Sequence, residues 1–158
     1  MTKPTPYLKT HVQLLKKGRV LDLGSGDGRN IAFLRENGFE VKGIEKNYGD
    51  MIEDVIRTSD THWDTIMSIY TIHFLPPEVA QETYAWMKQH TVSGGVNMLI
   101  DFIDEGEWDL SESHGFYLKK GELREMYADW EILNYEEKDV QTYKGSRQKA
   151  AFLVAKKL

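Results

Sequence analysis

The sequence contains no cysteine. That excludes a disulfide framework, a thiolate metal site and a cysteine nucleophile, and no metal is expected. Nor does any stretch approach the roughly 18 consecutive apolar residues of a membrane span. The first residues lack the apolar core of a secretion signal, so a cytoplasmic location is the expectation. Basic residues are outnumbered: 20 Lys and Arg stand against 25 Asp and Glu, a formal net charge of −5. That balance argues against a general nucleic-acid binder, which carries a basic face. Internal repeats, low-complexity tracts and linkers are all missing. The 158 residues have the length of one domain with a sizeable buried core.

The most informative stretch is residues 19–30, Arg-Val-Leu-Asp-Leu-Gly-Ser-Gly-Asp-Gly-Arg-Asn. Val20, Leu21 and Leu23 read as a buried strand. Gly24, Gly26 and Gly28 break it, and a helical pattern then runs to Asn37-Gly38, a good helix C-terminus. Strand, glycine turn and helix make the first half of a nucleotide-binding βαβ unit. The loop, with Ser25, brings backbone close to a ligand. Arg29 stands where the dinucleotide fingerprint wants its third glycine, and Asp22 lies two residues before the first. A carboxylate there opposes a pyrophosphate and suits a cationic cofactor. S-adenosylmethionine carries an ammonium and a sulfonium and no phosphate. The stretch therefore resembles motif I of class I S-adenosylmethionine-dependent methyltransferases. Arg29 and Asn30 open the helix, where an anion such as a cofactor carboxylate is well placed.

Residues 39–45 alternate as a second strand ending in Glu45, 17 residues after Gly28. An acidic residue near that spacing accepts hydrogen bonds from a ribose diol, and Lys46 follows it into the same site. Only 18 residues separate Glu45 from Asp64. A complete crossover with a third strand needs roughly 30 or more. The expectation is that the helix after strand two is missing and that 50–56 form a short third strand or extended edge segment. Residues 64–75 read as the next, central strand and its exit loop. Tyr70, Thr71 and His73 are then at the switch point of the sheet, where ligands bind. A helix from Pro76-Pro77 to about His90 and a strand from Val96 to Ile103 follow. Asp101 and Asp104 stand at the C-terminal end of that strand. Residues 104–119 read as a polar loop whose Trp108, His114, Phe116 and Tyr117 close over an acceptor or pin the loop to the sheet. A two-turn helix follows from Gly121, with Leu123, Met126 and Tyr127 inward. Strands at 130–135 and 150–155 have no helix between them and must pair antiparallel. At the other end, Thr10 is a candidate N-cap for a short helix before the first strand.

The motif at 21–30, H-F-L at 73–75, T-V-S-G-G-V-N-M-L-I at 91–100 and G-E-L-R-E-M-Y-A-D-W-E-I-L-N-Y-E at 121–136 together are similar to the tellurite-resistance, TehB-like methyltransferases. The resemblance spans nearly the whole chain. It implies a Rossmann-like class I fold, a mostly parallel sheet closed by a C-terminal antiparallel hairpin and here shortened between its second and fourth strands. It implies S-adenosylmethionine as cofactor and a small-molecule methyl acceptor such as a tellurium or selenium oxyanion. The protein would act as a monomer or homodimer, with no nucleic-acid or membrane partner. In that group an acidic residue after the third strand contacts the adenine, which points to Asp54 first and Asp50 second, and the N-terminal segment with Tyr7 and His11 lies over the cofactor. The group also has a His-Arg pair in the last hairpin. Residues 139–144 have neither, and Arg147 matches only a later arginine of the pattern. His73, His114 and Arg147 are the candidates for the acceptor side, as proton acceptors or as a cationic anchor. Two other readings are a cofactor-binding protein with little or no transferase activity and, disfavoured by Asp22 and Arg29, a nicotinamide-dependent enzyme.

Overall fold

The structure is a computed structural model that describes residues 3–158. A six-stranded sheet runs in the order β2-β1-β3-β4-β6-β5. Its strands are β1 (Arg19–Leu23), β2 (Glu40–Ile44), β3 (Trp63–Ile69), β4 (Thr91–Gly106), β5 (Glu131–Gln141) and β6 (Arg147–Lys156). β2, β1, β3 and β4 are mutually parallel, and β6 lies antiparallel between β4 and β5. The helices are α1 (Pro6–His11), α2 (Arg29–Glu36), α3 (Ile52–Thr58), α4 (Pro77–Gln89) and α5 (Glu122–Met126). None is long and apolar enough to cross a membrane among the described residues.

Alternation along the central strands supplies two cores. Leu21, Ile66 and Leu99 face one way and pack with Tyr84 and Met87 of α4 and Leu123 of α5. Val20, Met67 and Met98 face the other way and pack with Leu8 of α1, Leu34 of α2 and Phe152 of β6. Strands buried on both faces read as continuous apolar runs, and β1 and β4 do so.

The segment after β2 departs from the sequence expectation. The helix is present, as α3, and the strand is absent. Ile52, Val55 and Ile56 recur at i, i+3 and i+4 and pack against the α3–α4 side of the core. Glu53 and Asp54 occupy the first turn, where they complement the helix dipole. Arg57 reaches Glu53 at 3.7 Å and Glu82 of α4 at 3.8 Å. With no further strand, β2 is the sheet edge. Arg35 of α2 donates to the Val41 carbonyl of that strand at 3.1 Å, which blunts the edge against another chain.

Two smaller corrections concern the ends. The first helix has Thr5, not Thr10, at its N-cap position, without a side-chain cap, and opens at Pro6, whose fixed φ suits a first helical position. The last two strands are longer than their apolar stretches and meet in a turn at 142–146.

Candidate functional site

The chain leaves β1 at Leu23 and turns through the three glycines into α2. Gly24 has φ +78°, and a Cβ there would stand 2.2 Å from Thr71 Oγ1; only glycine fits between the two segments. The Gly24 and Ser25 N–H groups both donate to the Ile44 carbonyl, at 2.7 and 3.0 Å, so the loop is tied to the end of β2. Gly26, at φ +58°, has nothing within 4 Å of an added Cβ. Its backbone borders a cradle rather than packed protein.

Glu45 closes the cradle. Gly26 N–H donates to its Oε1 at 3.1 Å and Asn47 N–H to its Oε2 at 3.0 Å. Each oxygen keeps a further lone pair for a ligand hydroxyl. Loop and carboxylate face a cavity of about 670 Å³, whose other walls include Lys46, Asp50, Met51 and Tyr70. Asp22 lies behind the loop in β1, 2 % exposed, and does not itself line the cavity. Its Oδ2 has no hydrogen-bond partner. Burial first, and then the Glu45 charge, push its carboxyl up to about 7. A buried carboxylate oxygen without a donor is costly.

The remaining predicted cofactor residues separate. Ser25, Lys46 and Arg29 line the cavity. Gly28 stands outside it and caps α2 at φ +81°. Asn30 lines it, but its side chain is committed to the N-terminal segment: Thr5 N–H donates to its Oδ1 at 2.9 Å, and its Nδ2 donates to Thr5 Oγ1 at 3.1 Å. Thr5 itself lines the cavity. Tyr7 and His11 do not. Tyr7 donates to Asn134 Oδ1 at 2.8 Å and packs on Phe152, and His11 folds back on the Tyr7 carbonyl. Asp54 is corrected as well: it is exposed on α3, outside the cavity, while Asp50 and Glu53 line it. A segment that is helical rather than extended turns a different carboxylate inward.

Tyr70 follows β3 with φ +55°, the one non-glycine at positive φ among the described residues. A bulky side chain in that conformation is strained, and such strain gathers at functional sites. Burial, and then Asp101, push its hydroxyl up to about 12. Tyr70, Arg29 and Phe74 line both the first cavity and a second of about 970 Å³. His73 lines the second. Its Nδ1 sits 2.7 Å from Asp101 Oδ1, and its backbone N–H donates to Asp101 Oδ2 at 2.9 Å. Asp101 Oδ1 also accepts Phe102 N–H at 2.9 Å. The carboxylate therefore fixes both the ring and the turn that carries it.

The other two acceptor-side candidates lie elsewhere. Arg147 and His114 are exposed and line neither cavity. At Arg147 the alternation of β6 sends Gln148 inward, where it donates to the Ile103 carbonyl at 2.7 Å. The loop after β4 is pinned by its aromatic residues. Trp108 donates through Nε1 to Ser146 Oγ at 2.9 Å and through its backbone to Gln148 Oε1 at 3.1 Å. Phe116 N–H donates to the His73 carbonyl at 3.1 Å. Thr5 and Phe74 were not singled out from sequence as wall residues. Thr71, expected at the acceptor side, lines the first cavity and not the second.

The comparisons fit this geometry. The family model for tellurite resistance protein TehB matches residues 1–62 and 50–153, two stretches that meet at α3. Hemagglutinin 1 of Eikenella corrodens is 30% identical over 155 residues, covering 87% of this chain and 52% of that protein. The probable S-adenosyl-L-methionine-dependent methyltransferase TehB of Haemophilus influenzae is 27% identical over 162 residues, covering 89% of this chain and 57% of its own length. The chain thus spans about half the length of the curated relatives it matches. The crystal structure of TehB from Haemophilus influenzae superposes with a TM-score of 0.80 at 24% identity, over 96% of this chain and 61% of that one. The fold is accordingly the Rossmann-like fold of the class I methyltransferases. By sequence match over almost its whole length, the chain belongs to the TehB family.

Proposed function

We propose that this protein is an S-adenosylmethionine-dependent methyltransferase acting on a small-molecule acceptor. One observation carries the reading: the glycine cradle is closed by Glu45 and backed by the buried, donorless Asp22. That pair of carboxylate acceptors suits a ligand with a diol and two cationic groups and opposes a pyrophosphate. The name borne by the Haemophilus influenzae relatives supports it.

Bound S-adenosylmethionine supplies an electrophilic methyl group on a sulfonium. The residues of the chain have the tasks of binding, alignment and exclusion of water. Glu45 accepts from the ribose hydroxyls. Arg29, at the start of α2, offers a cation to the carboxylate of the cofactor. Met51 and Ile52 would give the adenine an apolar wall, with Asp50 as the carboxylate that would serve it in place of Asp54. At the second cavity, Asp101 holds Nδ1–H of His73 and leaves Nε2 as a proton acceptor. Nε2 has no hydrogen bond among the described residues. A protic acceptor can therefore lose its proton there. The oxyanion specificity suggested by the family name would need a cationic anchor; neither Arg147 nor His114 lines the cavity, and its cations are the exposed Arg29 and Lys144.

The test pairs binding with transfer. His73→Asn is expected to leave the calorimetric affinity for S-adenosylmethionine unchanged and to lower kcat on a protic acceptor by about 100-fold or more. Lost stability with an unchanged rate would make His73 structural. A second reading, cofactor binding without transfer, draws on the single helix α3 between β2 and β3. Binding without turnover across oxyanions, thiols and amines selects it.

A further inference from the structure

Resting on the assignment of the two adjoining cavities to cofactor and acceptor, we infer that the acceptor is a planar aromatic molecule rather than an inorganic oxyanion. The second cavity, at about 970 Å³, far exceeds the bulk of an oxyanion. It is the size of sites that hold drug-sized ligands.

A cluster of aromatic side chains from separate parts of the chain forms one part of its wall. Phe102 of β4 is the hub: its ring centroid lies 4.6 Å from Trp108, 5.0 Å from Tyr70 and 4.9 Å from His73. Tyr117 stands 6.3 Å from Trp108 and 5.9 Å from His73. These separations are those of stacked and edge-to-face pairs, and a planar ligand extends the same arrangement. Phe74 is 75% exposed at the border with the cofactor cavity, with its ring 4.0 Å from His73.

The charges do not make an anion trap. Arg29 and Lys144 are the cationic wall residues, and Asp109 and Glu112 offset them. All four are exposed, where solvent and salt screen them. Among the described residues, no buried cation faces the cavity. His73 lies in the same wall, so a hydroxyl, thiol or amine on the bound ring comes beside a proton acceptor.

The test is calorimetry on the full chain with three probes: 2-naphthol, its saturated counterpart 2-decalol, and sodium tellurite. S-adenosylhomocysteine is titrated separately. The expected result is saturable 2-naphthol binding, at least tenfold tighter than 2-decalol, and no saturable heat from tellurite. Trp108→Leu keeps apolar bulk without the aromatic face and should weaken 2-naphthol at least fivefold, with S-adenosylhomocysteine affinity unchanged. Tyr117→Leu makes the same comparison should the first variant fail to fold. The inference is overturned if tellurite saturates the protein and 2-naphthol does not, or if 2-naphthol binds the folded leucine variants as it binds the wild type. Failure of S-adenosylhomocysteine to bind removes the methyltransferase reading itself, and with it the acceptor assignment, whatever the naphthol titration gives.

Discussion

Burial of Asp22 ties the stability of the fold to pH. Its carboxyl is raised to about 7 in the folded chain and sits near 3.9 when unfolded. Between those values the unfolded chain has shed the proton and the folded chain keeps it. Stability therefore falls as pH rises through that window, by an amount on the order of a few kcal/mol. Asp22→Asn removes the term and should raise the melting temperature of the free protein at pH 8. A cationic cofactor favours the ionised form, so wild-type affinity for S-adenosylmethionine should increase from pH 6 to pH 8, with proton release. Calorimetry in buffers of different ionisation enthalpy measures this; a flat affinity and no proton release contradict it. Glu45→Ala takes acceptors from Gly26 and Asn47 as well as from the ribose, and should weaken the cofactor by about 1–3 kcal/mol in the same titration. The placement of both carboxylates beside the glycine loop was legible in the sequence because it depends on spacing from the glycines. Asn30 was only half legible: its place at the start of α2 was visible, but its bonds to Thr5 join residues 25 apart. Asp50 precedes α3 and lines the cavity, whereas Asp54 lies in its first turn and does not, a difference that a misassigned segment conceals.

At the scale of elements, that misassignment has a physical cause. α3 is seven residues long, too short for apolar spacing alone to separate helix from strand. What identifies it is packing on α4, which no local pattern reveals. The terminal hairpin was legible for the opposite reason, since two strands without an intervening helix have one way to pair. The 107–121 loop was legible in its aromatics and not in their partners, Ser146 and Gln148, which only the β4–β6 pairing brings near. Edge strand β2 supports the glycine loop directly. A Cβ on Gly43 would meet Ile31 Cδ1 at 2.5 Å and Ser25 Oγ at 2.7 Å. Gly43→Ala should therefore displace the loop, costing about 1–3 kcal/mol of stability and weakening the cofactor as well. Thermal melts and titration check both; an unchanged affinity would show that the loop does not depend on β2.

For the whole molecule, the two cavities lie together at the exits of the parallel strands, the end where open α/β sheets bind ligands. Tyr70 joins them from a strained backbone, and the sheet that holds them ends at β2 on one side and at a long antiparallel hairpin on the other. The central claim is that the glycine cradle selects a cationic sulfur cofactor over a dinucleotide. Calorimetric titration of the full chain with S-adenosylmethionine and with NAD, for the wild type and Gly26→Val, tests it most directly. The account predicts one S-adenosylmethionine per wild-type chain, no saturable heat from NAD, and loss of binding in a variant that keeps its circular dichroism spectrum. Saturation by NAD, or a folded Gly26→Val chain that binds S-adenosylmethionine like the wild type, would contradict it.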